Sequence, residues 1–364
     1  MNILFRVDSS LQIGSGHIMR CLTLANVLKQ EGASCIFICR EHEGNLLMLI
    51  QHNGHSTLAL PNSTANISPS ATPSRQEYLT WLGTTPAEDA QQTITALQSL
   101  ILDNKPTWLI VDHYALDREW EITLRPYCQK IMVIDDLADR QHDCDLLLDQ
   151  TFRRNKQDYQ LLVPKHCNIL VGSYYILLRP EFAQWRNYSL ERRTSPQFKC
   201  LLITLGGVDK DNVTTDVLDA ITNSSLPLDC QITIVLGINA PWLNDIIKKS
   251  RNLPWQTEVK INVENMAQLM ANSDICIGAA GSTTWERCCL GVPTISLCIA
   301  SNQRLVNSNL EKAKATISVE NANQLKDILP NITYNYRLLT SLSKNSSLIT
   351  DGYGTKRVVK HLNC

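Results

Sequence analysis

Short runs of consecutive apolar residues alternate along this chain with longer stretches whose apolar positions recur every three or four residues. Runs of the first kind suit strands covered on both faces of a parallel sheet, and stretches of the second kind are amphipathic helices. In the first half, Ile3–Val7, Cys35–Cys39, Trp108–Val111, Ile131–Ile134 and Leu146–Leu148 are the predicted strands. Ile18, Cys21, Leu22, Ala25 and Leu28 mark one face of a helix between the first two. The Ser/Thr/Asn/Pro-rich interval Pro61–Arg75 reads as a surface loop. A second series opens near Cys200, with predicted strands Cys200–Leu205, Ile232–Leu236, Val259–Ile261, Ile275–Ile277 and Thr294–Cys298. Residues 179–198 carry little strand signal and are assigned to a linker. The expected fold is α/β, with two Rossmann-like domains facing a cleft: residues 1–178 and 199–364. Ligands of such sheets bind at the carboxyl ends of the strands.

Composition agrees with two domains, because 364 residues exceed what one core usually holds. The 44% apolar and 19% charged content excludes a disordered chain. Thirty-four Lys and Arg against 35 Asp and Glu leave a net charge of -1, with no basic excess to draw nucleic acid or anionic lipid. None of the 13 cysteines forms a C-x-x-C pair, which argues against a disulfide framework and a zinc site and fits a reducing compartment. MNILF opens directly into a strand, and no apolar run approaches the ~18–20 residues that span a bilayer. The expectation is a cytoplasmic protein without membrane or nucleic-acid partners, and a monomer, since no coiled-coil heptad is present.

The sharpest local feature is RVDSSLQIGSGHIMRCLTLA, Arg6 to Ala25. A strand ends near Val7, a loop carries Gly14-Ser15-Gly16, and a helix starts near His17. Gly14 and Gly16 allow close backbone approach to a ligand, and the helix N-terminus offers amides to an anion. The dinucleotide fingerprint is absent because Met19 stands where its third glycine belongs. No cofactor is therefore implied. Arg6, Asp8, His17 and Arg20 crowd this turn, so the residues read either as a capped helix with a solvated arginine or as a site whose base is His17. Asp135-Asp136 and Asp143-Cys144-Asp145 have the spacing of a D-x-D metal site, but acids closing strands commonly cap turns; no metal is assigned. His42, His52, His55, His142, His166 and His361 show no partner pattern and are expected at the surface or in turns.

The run R-x-D-x-S-x-x-I-G-x-G-H-x-x-R-C-x-x-L-A is similar to the opening of the UDP-sugar hydrolases of pseudaminic acid biosynthesis. The similarity continues through Tyr78-Leu79 with WLGTTPAEDA (81–90), VDHYALDREWE (111–121), IDDLADRQHDCDLLLDQ (134–150), LLRPEF (177–182), ITLGGVDKDNVT (203–214) and GAAGSTTWERCCLGVPTISLCIASNQ (278–303). Nearly the whole chain is covered, in the family's order. Thr151–Arg154 departs from the pattern, where a glycine-bearing turn is expected. The family resembles the MurG-type transferases and shares their two-domain GT-B architecture, which implies that the C-terminal domain holds UDP and that the last helix, over 351–363, crosses back onto the first domain.

The resemblance implies hydrolysis of UDP-2,4-diacetamido-2,4,6-trideoxy-β-L-altropyranose at its anomeric carbon with inversion, releasing UDP and the free sugar for a surface or flagellar glycan. His17 would activate the water or, alternatively, contact the departing phosphate. Asp8 would orient His17 or the sugar, and Arg6 would bind the sugar or hold Asp8. Arg20 and Tyr78 belong to the same sugar site. In the second domain, Gly281, Ser282 and Thr283 would surround the diphosphate, Glu286 would take the ribose hydroxyls, and Gly206 and Gly207 would close the first strand and line the cleft. Val263 would meet the uracil edge, and Asn302 and Gln303 the diphosphate or sugar. Asp112 and His113 close a strand and either touch the sugar or fix the following loop. Two other readings use the same fold: a UDP-sugar glycosyltransferase, whose acceptor groove should carry an apolar or basic patch, and a nucleotide-sugar-binding module, which has no need of a base at His17.

Overall fold

The computed structural model describes residues 1–62, 73–100, 104–300 and 303–363. Two compact units divide the chain, one of residues 1–177 with 355–364 and the other of residues 178–354. Each is a parallel sheet clothed by helices, the α/β class expected from the apolar runs. The first sheet contains β1 (Asn2–Val7), β2 (Ser34–Arg40), β3 (Ser56–Leu60), β4 (Trp108–Asp112), β5 (Lys130–Ile134), β6 (Leu146–Asp149) and β7 (Asn168–Val171). The order is β3-β2-β1-β4-β5-β6-β7. The second contains β8 (Cys200–Thr204), β9 (Gln231–Leu236), β10 (Gln256–Ile261), β11 (Ile275–Ala279), β12 (Thr294–Leu297) and β13 (Ile317–Val319), ordered β10-β9-β8-β11-β12-β13. Chain order therefore reverses between β1 and β4 in one unit and between β8 and β11 in the other. Those are the switch points outside which ligands settle in open α/β sheets. The RVDSS turn follows β1, and the GAAGSTT turn follows β11.

Alternation of side chains along a strand sorts the first unit into two apolar layers. Ile3, Phe5 and Val7 of β1, with Trp108 and Ile110 of β4, face the helix Gly16–Gln30 and join Ile18, Cys21, Leu24 and Leu28. Phe5 stacks on Phe37 at 4.7 Å. Leu4, Leu109 and Val111 face the other way, toward Leu82, Ile94, Leu97 and Trp120. Each such fully buried large side chain contributes about 1.5–3 kcal/mol. By the same parity Arg6 and Asp8 lie on the Leu4 side, whereas Asp112, paired in register with Val7, lies on the side of the helix Gly16–Gln30.

The stretch 179–198, read from sequence as a linker, belongs to the second unit. Pro180–Arg192 is a helix. Ser189 Oγ donates to the Leu290 carbonyl at 2.7 Å, and the buried Arg193 donates to the carbonyls of Met270, Ala271, Ser273 and Gly291. Linker-like composition here reflects a helix held by polar side chains. The last helix, Gly354–Leu362, contributes Val358, Val359 and Leu362 to the first unit's core, and Trp108 Nε1 donates to the Leu362 carbonyl at 2.9 Å. Most of the expected loop 61–75 lies outside the described residues; at its end a helix runs from Pro73 to Leu82.

Candidate active site

β4 ends in Asp112 and β1 is followed by Asp8, both buried at the ligand edge of the sheet. His17 stands in the first turn of the helix Gly16–Gln30, entered through Gly14 at a φ of +78° that L-residues rarely adopt. Its Nδ1 lies 2.6 Å from Asp112 Oδ1. Arg20, one turn on, clasps the same carboxylate, with Nε on Oδ2 and Nη2 on Oδ1, both at 2.7 Å. Arg20 also donates to Asp136, which takes a second bond from the Tyr114 hydroxyl at 3.0 Å. Burial by itself would raise the Asp112 carboxyl, but the charges of Arg20 and His17 override it and hold the group well below the usual carboxylate range. An ionised Asp112 accepts from His17 Nδ1–H, and with the proton held there Nε2 is the ring nitrogen that can serve as an acceptor. Tyr114 packs edge-on against His17, with ring centres 4.7 Å apart, and joins Tyr78 and Trp81 in an aromatic cluster.

Asp8 does not orient His17. It lies on the opposite sheet face, where Arg6 Nη1 reaches its Oδ1 at 2.6 Å and the Arg40 amide at 2.7 Å. Arg6 is fully buried and forks onto Asp89, 83 residues away, which also takes bonds from Arg40 and the Trp120 indole. The two arginines and two carboxylates cancel in charge and brace β1 and β2 against the helix Pro86–Gln98. His113 Nε2 and His42 Nε2 stand 3.6 and 3.8 Å from Asp8 Oδ2 without a hydrogen bond. Burial pushes His113 down to about 3, and its Nδ1 accepts the Ala115 amide, so it is neutral with its proton on Nε2. His42, His55 and His142 lie outside helices and strands but are buried, so none holds the surface position that is one of the two expected for them. His42 sits beside Asp8, His55 bonds Asn26, and His142 Nδ1 lies 2.6 Å from the buried Glu121. Each is spaced far from its partner in sequence, which hid the pairing.

The acidic pairs are occupied by the protein itself. Arg125 binds both Asp143 and Asp145. Asp135 is held by Arg140, Tyr159 and the Ala138 amide, and Asp149 shares the Tyr159 hydroxyl with it. Among the described residues no group of three or more His, Cys, Asp or Glu is placed to hold a metal ion. At Thr151–Arg154 the positive φ comes from Arg153, at +68°, without the glycine that the family pattern calls for.

In the second unit, Gly206 has a φ of +106°, and the Gly207 carbonyl accepts the Gly237 amide at 2.9 Å. The helix Val213–Thr222 that follows is capped by Asp209, whose two oxygens accept the Val213 and Thr214 amides. Ser282, at the N-cap of the helix Thr283–Cys289 after β11, makes no side-chain capping bond. The buried Arg287 of this helix lies across Gly278 and donates to the Ala279 carbonyl and to Thr283 and Thr284. Gly281 abuts Gln303, whose Oε1 accepts the Ile299 amide; a Cβ on Gly281 would stand 3.6 Å from Gln303 Nε2. Asn302 lies outside the described residues. Val263 is partly exposed in the loop after β10, and its neighbour Glu264 accepts a bond from Arg179 at 3.4 Å. Arg179 Nη2 is also 3.8 Å from Glu286, whose carboxyl burial pushes up to about 7. Arg179 thus stands between Glu286 and the carbonyl of Glu264, next in the chain to Val263, and Gly281 lies against Gln303. Sequence reasoning missed Arg179 and Asp112's tie to His17, both of which join segments remote in the chain.

Two parallel-sheet units in tandem define the GT-B class. The chain matches Acinetobacter baumannii MurG along its full length with a TM-score of 0.64 at 14% identity, covering 99% of that structure. It matches the calicheamicin glycosyltransferase CalG4 at 0.64 and 11%, covering 100% of this chain and 97% of that one. Within that class it is 29% identical over 314 residues to the UDP-2,4-diacetamido-2,4,6-trideoxy-beta-L-altropyranose hydrolase of Campylobacter jejuni, covering 86% of this chain and 97% of that protein. The resemblance to the pseudaminic acid pathway hydrolases is thereby borne out. An uncharacterised protein of Methanocaldococcus jannaschii is 23% identical over 301 residues, and the chain spans only 55% of its length. The Bacillus subtilis spore coat polysaccharide biosynthesis protein SpsG is 25% identical over 205 residues, 55% of this chain and 59% of that one. No protein-family model matches the chain.

Proposed function

We propose that the protein hydrolyses UDP-2,4-diacetamido-2,4,6-trideoxy-β-L-altropyranose to UDP and the free sugar. The observation that carries the reading is the 2.6 Å contact between His17 Nδ1 and Asp112 Oδ1, a base with an orienting carboxylate. Water attacks the anomeric carbon while His17 Nε2 takes its proton. The anomeric C–O bond breaks with inversion, and its electron pair goes to the β-phosphate oxygen of UDP. Arg20 keeps Asp112 ionised, and the Tyr114–Tyr78 cluster beside His17 limits access of bulk water. UDP is taken by the second unit: Gly281, Ser282 and Thr283 amides around the diphosphate, Glu286 at the ribose and Val263 at the uracil edge. The resemblance to the Campylobacter hydrolase supports the substrate class.

A glycosyltransferase reading is favoured by the fold neighbours, which include MurG and CalG4. Turnover in ¹⁸O-labelled water without added acceptor separates the two. The hydrolase reading expects UDP release with label in the sugar, and loss of that release in His17→Ala. Label in UDP means attack at phosphorus, and dependence on an added acceptor means a transferase; either result overturns the proposal.

A further inference from the structure

Trp81 lies on the last turn of the helix Pro73–Leu82 and packs with Tyr78 and Tyr114, its ring centre 4.9 Å from Tyr78 and 6.1 Å from Tyr114. Tyr78 and Tyr114 are buried, and Tyr114 is the ring that meets His17 at 4.7 Å. Trp81 keeps part of its surface open. It is the partly exposed rim of an otherwise buried aromatic cluster that begins at the base. Its ring centre can be no farther from that of His17 than the two steps through Tyr114 together, so a pyranose ring and its substituents at the base lie within its reach. An aromatic ring so placed packs on the C–H and methyl groups of a sugar, and a methyl in place of a hydroxymethyl gives it more apolar surface to cover.

We infer that Trp81 is a specificity-determining residue, the apolar wall that recognises the methyl substituents of the sugar, those of the deoxy carbon and the acetamido groups. The inference rests on the hydrolase reading for the identity of the sugar, but its binding test does not require turnover. Covering one or two methyl groups accounts for about a tenfold gain in affinity. UDP, which lacks the sugar, gains nothing from Trp81.

The test is calorimetric binding of the intact UDP-2,4-diacetamido-2,4,6-trideoxy sugar, of UDP-N-acetylglucosamine and of UDP to the full chain carrying His17→Ala, alone and with Trp81→Ala or Trp81→Phe. Trp81→Ala is expected to weaken the trideoxy sugar nucleotide about tenfold and UDP less than twofold, and to narrow its preference over the hydroxylated sugar. Trp81→Phe restores most of the difference, and circular dichroism confirms that both variants fold. Unchanged affinity for the trideoxy sugar nucleotide in Trp81→Ala, equal losses for UDP, or no recovery in a folded Trp81→Phe overturns the inference. Absence of hydrolysis by the native chain with the Trp81-dependent binding intact would overturn the hydrolase reading and leave the Trp81 wall standing.

Discussion

Replacing Asp112 by Asn retains the size of the side chain at the end of β4 but exchanges one carboxylate oxygen for an amide. In the native site Asp112 Oδ1 meets His17 Nδ1 at 2.6 Å and Arg20 Nη2 at 2.7 Å, while Oδ2 meets Arg20 Nε at 2.7 Å. Asparagine has one acceptor oxygen, and the fixed charge and two N–H groups of Arg20 claim it. The amide NH2 then turns to His17 and donates to Nδ1. The ring proton moves to Nε2, which on the proposed mechanism accepts the proton of water, so the proposed base is held in the wrong tautomer. General base catalysis contributes 10²–10⁴-fold, which places the expected loss in kcat at about 10³, or about 4 kcal/mol of barrier, with KM little changed.

The same change has a stability consequence with a defined sign. Asp112 has a folded-state pKa below its unfolded value, so its contribution is present above the unfolded carboxylate range and is lost as pH falls through the folded value. The variant is therefore less stable than the native protein at pH 7, by less than the ~3–5 kcal/mol of a buried charge left unpaired because Arg20 keeps Asp136, and the gap closes in acid. Folding is checked by circular dichroism, and kcat is read from UDP release under single-turnover conditions. A folded Asp112→Asn variant with kcat within threefold of native would refute the dyad. So would a further tenfold loss when Asp112→Asn is added to His17→Ala, because members of one unit do not lose their effect twice.

Two other predictions concern titration. Burial pushes Glu286 up to about 7; if its carboxylate accepts ribose hydroxyls, UDP affinity rises about tenfold from pH 6 to pH 8, in excess of any change in Glu286→Gln. Calorimetry at the two pH values checks this, and parallel pH profiles for the two proteins would remove Glu286 from the nucleotide site. Burial, aided by the charge of Asp136, raises Asp149 to about 6. A carboxyl whose folded pKa exceeds its unfolded one stabilises the fold below pH ~4 and loses that contribution as pH rises through about 6. Between pH 4 and 7 the native protein should therefore lose roughly 2 kcal/mol relative to Asp149→Asn, measured by denaturant titration. Equal slopes would show that Asp149 is already ionised in acid.

Much of the architecture was legible because it is encoded locally. A strand covered on both faces must be apolar residue after residue, so Ile3–Val7, Trp108–Val111 and Ile275–Ile277 announced themselves, and the two switch-point turns followed from glycines next to strand ends. The edge strands β3, β7 and β13 escaped, since Ser56–Leu60, Asn168–Val171 and Ile317–Val319 are short and partly exposed. Pro180–Arg192 escaped as well, because its polar side chains bond backbone carbonyls of a neighbouring segment and leave no apolar stripe to read.

The sequence by itself determined that His17 heads a helix at the carboxyl edge of a sheet, amid Arg6, Asp8 and Arg20: helix periodicity and strand length suffice for that. Which carboxylate serves His17 was decided only by the tertiary structure. Asp8 is nine residues from His17 and Asp112 is 95 residues away, yet Asp112 makes the contact. The reason is the two-residue period of a strand: Arg6 and Asp8 turn to one face of β1, where Asp89 meets Arg6. Register with Val7 sets Asp112 on the other face, under the helix that carries His17 and Arg20. Chain proximity places residues at one edge of a sheet, and pleat and register choose the face.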